Sequence, residues 1–251
     1  MTTAIATTTK QRSSSGQPPA YSEVYDPDTD FDVLYTDANF RAIRPYLSAG
    51  DTVLELGCGG GLMTSMIVAA GCGVVGVDRV PAFLDAARRR GLGRAEFVEA
   101  DLCTFDDGRR WRHVVNTHVL HELDDPAGFI THAATLLEPG GLLHLSSPNP
   151  RSAHRLLAME MGWLDDLAAP SDLNRRHAIA GLPGAEQILA WAAAAGLLCL
   201  HREGVVFKPL TNDQMATLPA DVLEGFVRLA RHFPESSAHN FFLLGSSPTR
   251  G

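Results

Sequence analysis

The nine residues from Val53 to Gly61, VLELGCGGG, pass from an apolar run to a cluster of glycines within one short stretch. An apolar run ending in Gly-x-Gly-x-Gly reads as a buried parallel strand that turns sharply, lets backbone approach something closely, and enters a helix. Three occupants suit such a turn: a nucleotide phosphate, a cofactor that carries no phosphate, or plain close packing of strand against helix.

Around this turn, short apolar runs alternate with longer amphipathic ones. Residues 51–57 read as a strand, 61–71 as a helix closed by Gly71, and 72–78 as a second strand. Next come a helix over 80–91, with Pro81 in its first turn and Gly91 after its last, and a strand over 95–101. Then follow a strand over 113–119, a helix over 125–141 with Pro126 near its start, and a strand over 142–150. Past Pro150 the regularity weakens into helical pieces broken by Pro, Gly and charge, and about 150–183 reads as a helical substrate cover. It returns with a helix over 185–196, a strand over 197–204, helical material over 212–233 and a final strand over 239–247. The alternation predicts an α/β fold: a doubly wound, mostly parallel sheet of seven strands, the last antiparallel, with helices on both faces.

A chain of 251 residues is long enough for one such domain with embellishments. Residues 1–20 are rich in Thr, Ser and Pro and read as a disordered tail, leaving 21–251 as the domain. Apolar runs are broken well before the length of a membrane span, so none is expected. Cysteines at 58, 72, 103 and 199 follow no ligand spacing; without a secretion signal they indicate a reducing cytoplasm and no metal site. A net charge of −8 disfavours a nucleic-acid surface. Lys10 and Lys208 are the two lysines against nineteen arginines, which with much Ala and Gly points to a GC-rich bacterial genome.

Ligands of open parallel sheets bind beyond the carboxyl ends of the strands, where Gly57, Gly59 and Gly61 fall. A dinucleotide turn prefers a small residue at the sixth position from Gly57, and Leu62 is too bulky. Glu55, two residues before the first glycine, repels a pyrophosphate but suits an ammonium or sulfonium charge. Asp78 ends the second strand, where a carboxylate can accept both ribose hydroxyls. Asp101 ends the third, where it can accept from an exocyclic adenine amine while Leu102 offers backbone N–H and an apolar contact. Together these acids suit a ribose, an adenine and a cationic amino-acid tail.

This arrangement resembles the class I S-adenosylmethionine-dependent methyltransferases. ELGCGGG (55–61) is similar to their Glu/Asp-x-Gly-x-Gly-x-Gly motif, GVVGVD (73–78) to their acidic second strand and EADL (99–102) to their third. VVNTHVLHELDDP (114–126) resembles the family's fourth strand and loop, and LLEPGGLLHLSSPN (136–149) its Pro-Gly-Gly turn and fifth strand. The resemblance implies a Rossmann-like fold, S-adenosylmethionine as donor and S-adenosylhomocysteine as product. It implies cofactor contacts from Glu55, Gly57, Cys58, Gly59, Gly61, Asp78, Arg79, Asp101, Leu102, Thr117 and His118. Cys58 reads as small packing more than as a nucleophile. A lid over about 21–45 is implied too, with Tyr25 a better cofactor contact than Tyr21.

Methyl transfer is an in-line displacement, so the protein supplies proximity and a dry pocket, with a base only where the nucleophile must lose a proton. His118 or His121 is the candidate catalytic base, since an unperturbed imidazole titrates near neutrality. Asp124 and Asp125 lead into Pro126 and read as helix N-terminal charges. On the resemblance, His154, His177 and Lys208 are substrate-binding candidates. Met159, Met161 and Trp163 suit either an apolar substrate pocket or, more commonly, ordinary core. The expected reaction is O- or N-methylation of a small molecule in bacterial specialised metabolism. An NAD-dependent oxidoreductase shares the glycine turn but is opposed by Leu62 and Glu55. A methyltransferase of protein or peptide side chains, or a non-catalytic binding protein, would share the fold.

Overall fold

The computed structural model describes residues 31–170 and 181–246. The expected tail, Tyr21, Tyr25 and His177 lie outside the described residues.

Seven strands form one sheet: β1 (Thr52–Leu56), β2 (Gly73–Asp78), β3 (Ala95–Glu99), β4 (Trp111–Thr117), β5 (Leu137–Pro148), β6 (Leu197–Val205) and β7 (His239–Ser246). Their order is β3-β2-β1-β4-β5-β7-β6, and β7 alone runs antiparallel to its neighbours β5 and β6. The chain leaves β1 towards β2 on one side and reaches β4 on the other, so the strand order reverses between β1 and β4. That reversal opens the crevice in which ligands of such sheets bind.

Both sheet faces are covered. Leu54 and Leu56 of β1 join a buried cluster with Phe129, Ile130 and Ala133 of helix α4 (Pro126–Thr135) and with Ile188 and Ala192 of α6 (Ala185–Ala194). Val53 enters a second cluster with Ala38 and Ile43 of α1 (Val33–Ile43) and Met63 and Ile67 of α2 (Leu62–Ala69). Alternate residues of one strand thus feed two cores, which is why the run is apolar rather than alternating. Pro81 opens α3 (Pro81–Arg89), whose Leu84 and Ala87 are buried. The remaining α-helices among the described residues are α5 (Ala153–Glu160), α7 (Asn212–Met215) and α8 (Ala220–Leu229).

Two expected boundaries move. The helix expected to run to Gly141 ends at Thr135, and β5 already begins at Leu137. Leu137 pairs with Trp111, and the register then shifts, so the Glu-Pro-Gly-Gly segment bulges out of the ladder with Gly140 at φ 77°. A side chain at Gly141 would meet the Trp111 carbonyl at 2.8 Å, so the glycines serve a bulge rather than a helix end. The helical stretch expected over 212–233 breaks at Pro219, which caps α8 from an extended conformation. Met161 and Trp163, expected as core or pocket lining, are 47% and 72% exposed, and Met159 is half-buried. Helical spacing shows a face, and here the outer part of that face has no neighbour among the described residues.

Candidate active site

The glycine turn clasps the end of β2. Gly57 and Cys58 both donate N–H to the Val77 carbonyl, at 2.8 and 3.1 Å. Gly59 donates to one oxygen of Asp78 and Val80 to the other, each at 2.9 Å. The three glycines have three different reasons. At Gly57 (φ 86°) a Cβ would strike Val119 Cγ2 at 2.6 Å, so the residue is bare to admit the β4 loop. Gly61 (φ 77°) precedes α2 and would press on Ala87 at 3.0 Å. Gly59 (φ 49°) has nothing within 4 Å of where a Cβ would lie, so its backbone faces open space. The second strand is shaped to match: a Cβ at Gly76 would meet Cys58 at 3.0 Å, so Cys58 packs there, buried, and burial raises its thiol pKa far from thiolate range.

Glu55 is 3% exposed and accepts a 2.5 Å hydrogen bond from the Thr64 hydroxyl of α2. Burial pushes its carboxyl up to about 8, against the hydrogen bond from Thr64 and with the charge of Asp78 adding to the rise. At that value Glu55 is protonated at pH 7, so the charge of Asp78 is what disfavours a phosphate on this turn. An incoming ammonium would instead recover the energy of ionising Glu55. Asp78 is buried, yet each of its oxygens keeps a second lone pair for a hydroxyl. Asp101 is exposed and uses Oδ1 to accept from the Cys103 N–H at 2.8 Å; Leu102 behind it joins the core, and Arg79 is exposed. The donor set therefore fits a group with a ribose diol and an amino-acid ammonium.

At the carboxyl end of β4, Asn116 is fully buried and ties the strand to β1 by donating Nδ2–H to the Leu56 carbonyl at 2.8 Å. Thr117 follows, and then His118 at φ 66°, a left-handed conformation rare for a histidine. Asn39 of α1 donates from Nδ2 to the Tyr35 carbonyl at 2.9 Å, which fixes its amide, and the same nitrogen lies 2.8 Å from His118 Nε2. His118 Nε2 must then accept, leaving the proton on Nδ1. Burial lowers His118 to about 3 and His121 to about 4. Both are neutral at pH 7 and in the accepting form, but they are weaker bases than an ordinary imidazole, so their strength falls short of the expectation from unperturbed values. Asp125 caps α4 by accepting from the Gly128 N–H at 2.8 Å, a structural duty.

Two of the expected substrate residues arrive beside this loop. The His154 N–H donates to the Lys208 carbonyl at 3.0 Å, joining α5 to the chain after β6. His239, Tyr35 and Asn39 were not singled out by sequence. The His239 ring lies 4.4 Å from that of Tyr35 and 4.6 Å, near perpendicular, from that of His118. One signal was available for His239: in an antiparallel last strand the first residue falls at the carboxyl edge of the parallel strands, and His239 is opposite Pro148. Asn39 and Tyr35 had no local signal, since they sit among the apolar positions of a helix.

The sheet order, the two-faced core and the glycine turn with its acids define a Rossmann-like methyltransferase fold. The family model described as "Methyltransferase domain" matches residues 34–201. A ubiquinone biosynthesis O-methyltransferase of Chelativorans sp. (strain BNC1) is 31% identical over 190 residues, 72% of each chain. The magnesium protoporphyrin IX methyltransferase of Synechocystis PCC 6803, solved with bound S-adenosylhomocysteine, superposes with a TM-score of 0.62 at 16% identity, covering 89% of both chains. The cyclase SpnF superposes with a TM-score of 0.58 at 19% identity, covering 89% of this chain and 84% of its own. The chain belongs to the methyltransferase domain family, as a class I S-adenosylmethionine-dependent methyltransferase of small molecules.

Proposed function

We propose that this enzyme methylates an oxygen or nitrogen atom of a small molecule held between the end of β4, α1 and α5, with a hydroxyl oxygen the favoured acceptor. The observation that carries the reading is the juxtaposition of two halves. The acids Glu55, Asp78 and Asp101 lie along the ends of β1 to β3, and the half-buried neutral imidazoles of His118 and His121 lie beside the end of β4. The name of the 31%-identical relative supports oxygen and places that relative in ubiquinone biosynthesis, a primary pathway.

S-adenosylmethionine, when bound, supplies an electrophilic methyl group on a sulfonium. In this reading Glu55 receives the ammonium, Asp78 the ribose hydroxyls and Asp101 the adenine amine, with Gly57, Gly59 and Gly61 giving the backbone its close approach. Arg79, Leu102, Thr117 and His118 complete the wall. His118 is held by Asn39 and serves as wall more than as base. His121, whose Nδ1 is buried without a partner, is the better acceptor of a hydroxyl proton. Helix α1, with Tyr35 against the imidazoles, forms the described part of the lid, and α5 the described part of the substrate cover. Both exclude water from the reacting atoms.

Isothermal titration with S-adenosylmethionine, S-adenosylhomocysteine and NAD tests this. The two sulfur compounds should bind and NAD should not. Binding of NAD alone would overturn the reading, and cofactor binding without transfer to any small hydroxyl or amine in a radiolabel screen would reduce the protein to a binder.

A further inference from the structure

Lys208 stands out chemically. It is 7% exposed, it is the one lysine among the described residues, and no carboxylate among them is paired with it. An ammonium held out of water without a partner is costly, and such a group is kept where a partner arrives. The charges that act on Lys208 are Asp32, Arg155 and Asp213. Arg155 is already engaged, donating to the Leu167 and Ala169 carbonyls at 3.0 and 2.5 Å. Asp32 and Asp213 act on Lys208 through charge, without a hydrogen bond to it.

The surroundings of Lys208 supply further donors. His154 and His239 each leave Nδ1 buried with no partner, and His239 is only 8% exposed. The His239 ring is wedged between Tyr35 and His118, which fixes its orientation. Burial holds both imidazoles neutral, so each carries one N–H donor and adds no second cation. One buried ammonium with neutral donors beside it matches a single negative charge spread over two oxygens.

We infer that Lys208, with His239 and His154, seats an anionic carboxylate-type group of the methyl acceptor, so that the enzyme selects acceptors bearing one. The inference rests on the methyltransferase reading of the neighbouring cofactor half and adds the acceptor's charge. The anchor lies beside His118, and so holds the remainder of the acceptor against the β4 loop. A neutral acceptor of the same shape would leave the ammonium unpaired and lose that gain.

The test compares benzoate with benzamide, its neutral isostere, by titration into the full chain with and without saturating S-adenosylhomocysteine. Benzoate should bind about tenfold or more tightly than benzamide, and Lys208→Met should abolish that preference while the affinity for S-adenosylhomocysteine is kept. Equal binding of the two probes, no binding of benzoate, or an undiminished preference in Lys208→Met would each overturn the anion seat. The wild-type comparison decides even if the variant does not fold. Failure of S-adenosylhomocysteine to bind would strike the functional reading instead, since the benzoate arm without it still reads the seat.

Discussion

Asp78 is a carboxylate that the fold already uses and that, in the proposed function, the ligand would use as well. Its two oxygens hold the Gly59 and Val80 N–H groups, and each keeps acceptor capacity for a further donor. Asp78→Ala should weaken binding of S-adenosylhomocysteine by about 1.5–3 kcal/mol, the range for a hydrogen bond to a charged group. Calorimetric titration reads this directly, and unchanged affinity would place the ribose elsewhere. Its position was legible because Asp78 is the last residue of a strand that ends beside the glycine turn. The Asn39 bond to His118 was not, because those residues are 79 positions apart and meet only once α1 packs across the sheet.

The turn between β1 and α2 separates packing glycines from an exposed one. Gly57 is bare because Val119 occupies the space of its Cβ, whereas Gly59 is bare before open space. Gly57→Ala should therefore cost stability, about 1–3 kcal/mol from the forced contact. Gly59→Ala, strained by its left-handed φ of 49° but free of contacts, should cost less stability than Gly57→Ala, about 1 kcal/mol, yet bind S-adenosylhomocysteine much less tightly. Thermal unfolding and titration of both variants check the contrast, and equal profiles would mean that the two glycines share one role. The elements themselves, β6 and the antiparallel β7 included, were readable from periodicity. The Pro-Gly-Gly segment misled about one boundary, since glycines that end a helix and glycines that relieve a bulge leave the same letters. The pairing of Leu137 with Trp111 settles the matter through contacts no local pattern encodes.

Taken together, the buried imidazoles make the folded state sensitive to acid. His118, His121, His144 and His154 are lowered to between about 3 and 4 by burial, and His239 is well below its ordinary value. Their folded values lie below the unfolded value of 6.5, so the unfolded chain binds more protons as pH falls through 6.5 towards 4. The stability they contribute is complete above 6.5 and lost below it. Glu55 acts the other way, with a folded value of about 8 above its unfolded 4.5, so its contribution falls as pH rises between the two. Glu122, raised to about 7 by burial, acts as Glu55 does; six histidines, with His113 lowered too, outnumber the two glutamates, and urea unfolding should show stability climbing from pH 5 to about 6.5, by roughly 1.4 kcal/mol per pH unit for each net proton. A flat profile would mean that these imidazoles are solvated. The same division runs through the molecule. The strand and helix order, the two-faced core and the acids at 55, 78 and 101 follow from the chain's own periodicity, because each is written within a single element and its turn. The buried histidines, the tautomer of His118, the exposure of Trp163 and the unpaired Lys208 do not. Burial, and with it the charge state and the partner of every polar side chain, is a property of what distant segments bring alongside, and folding alone supplies it.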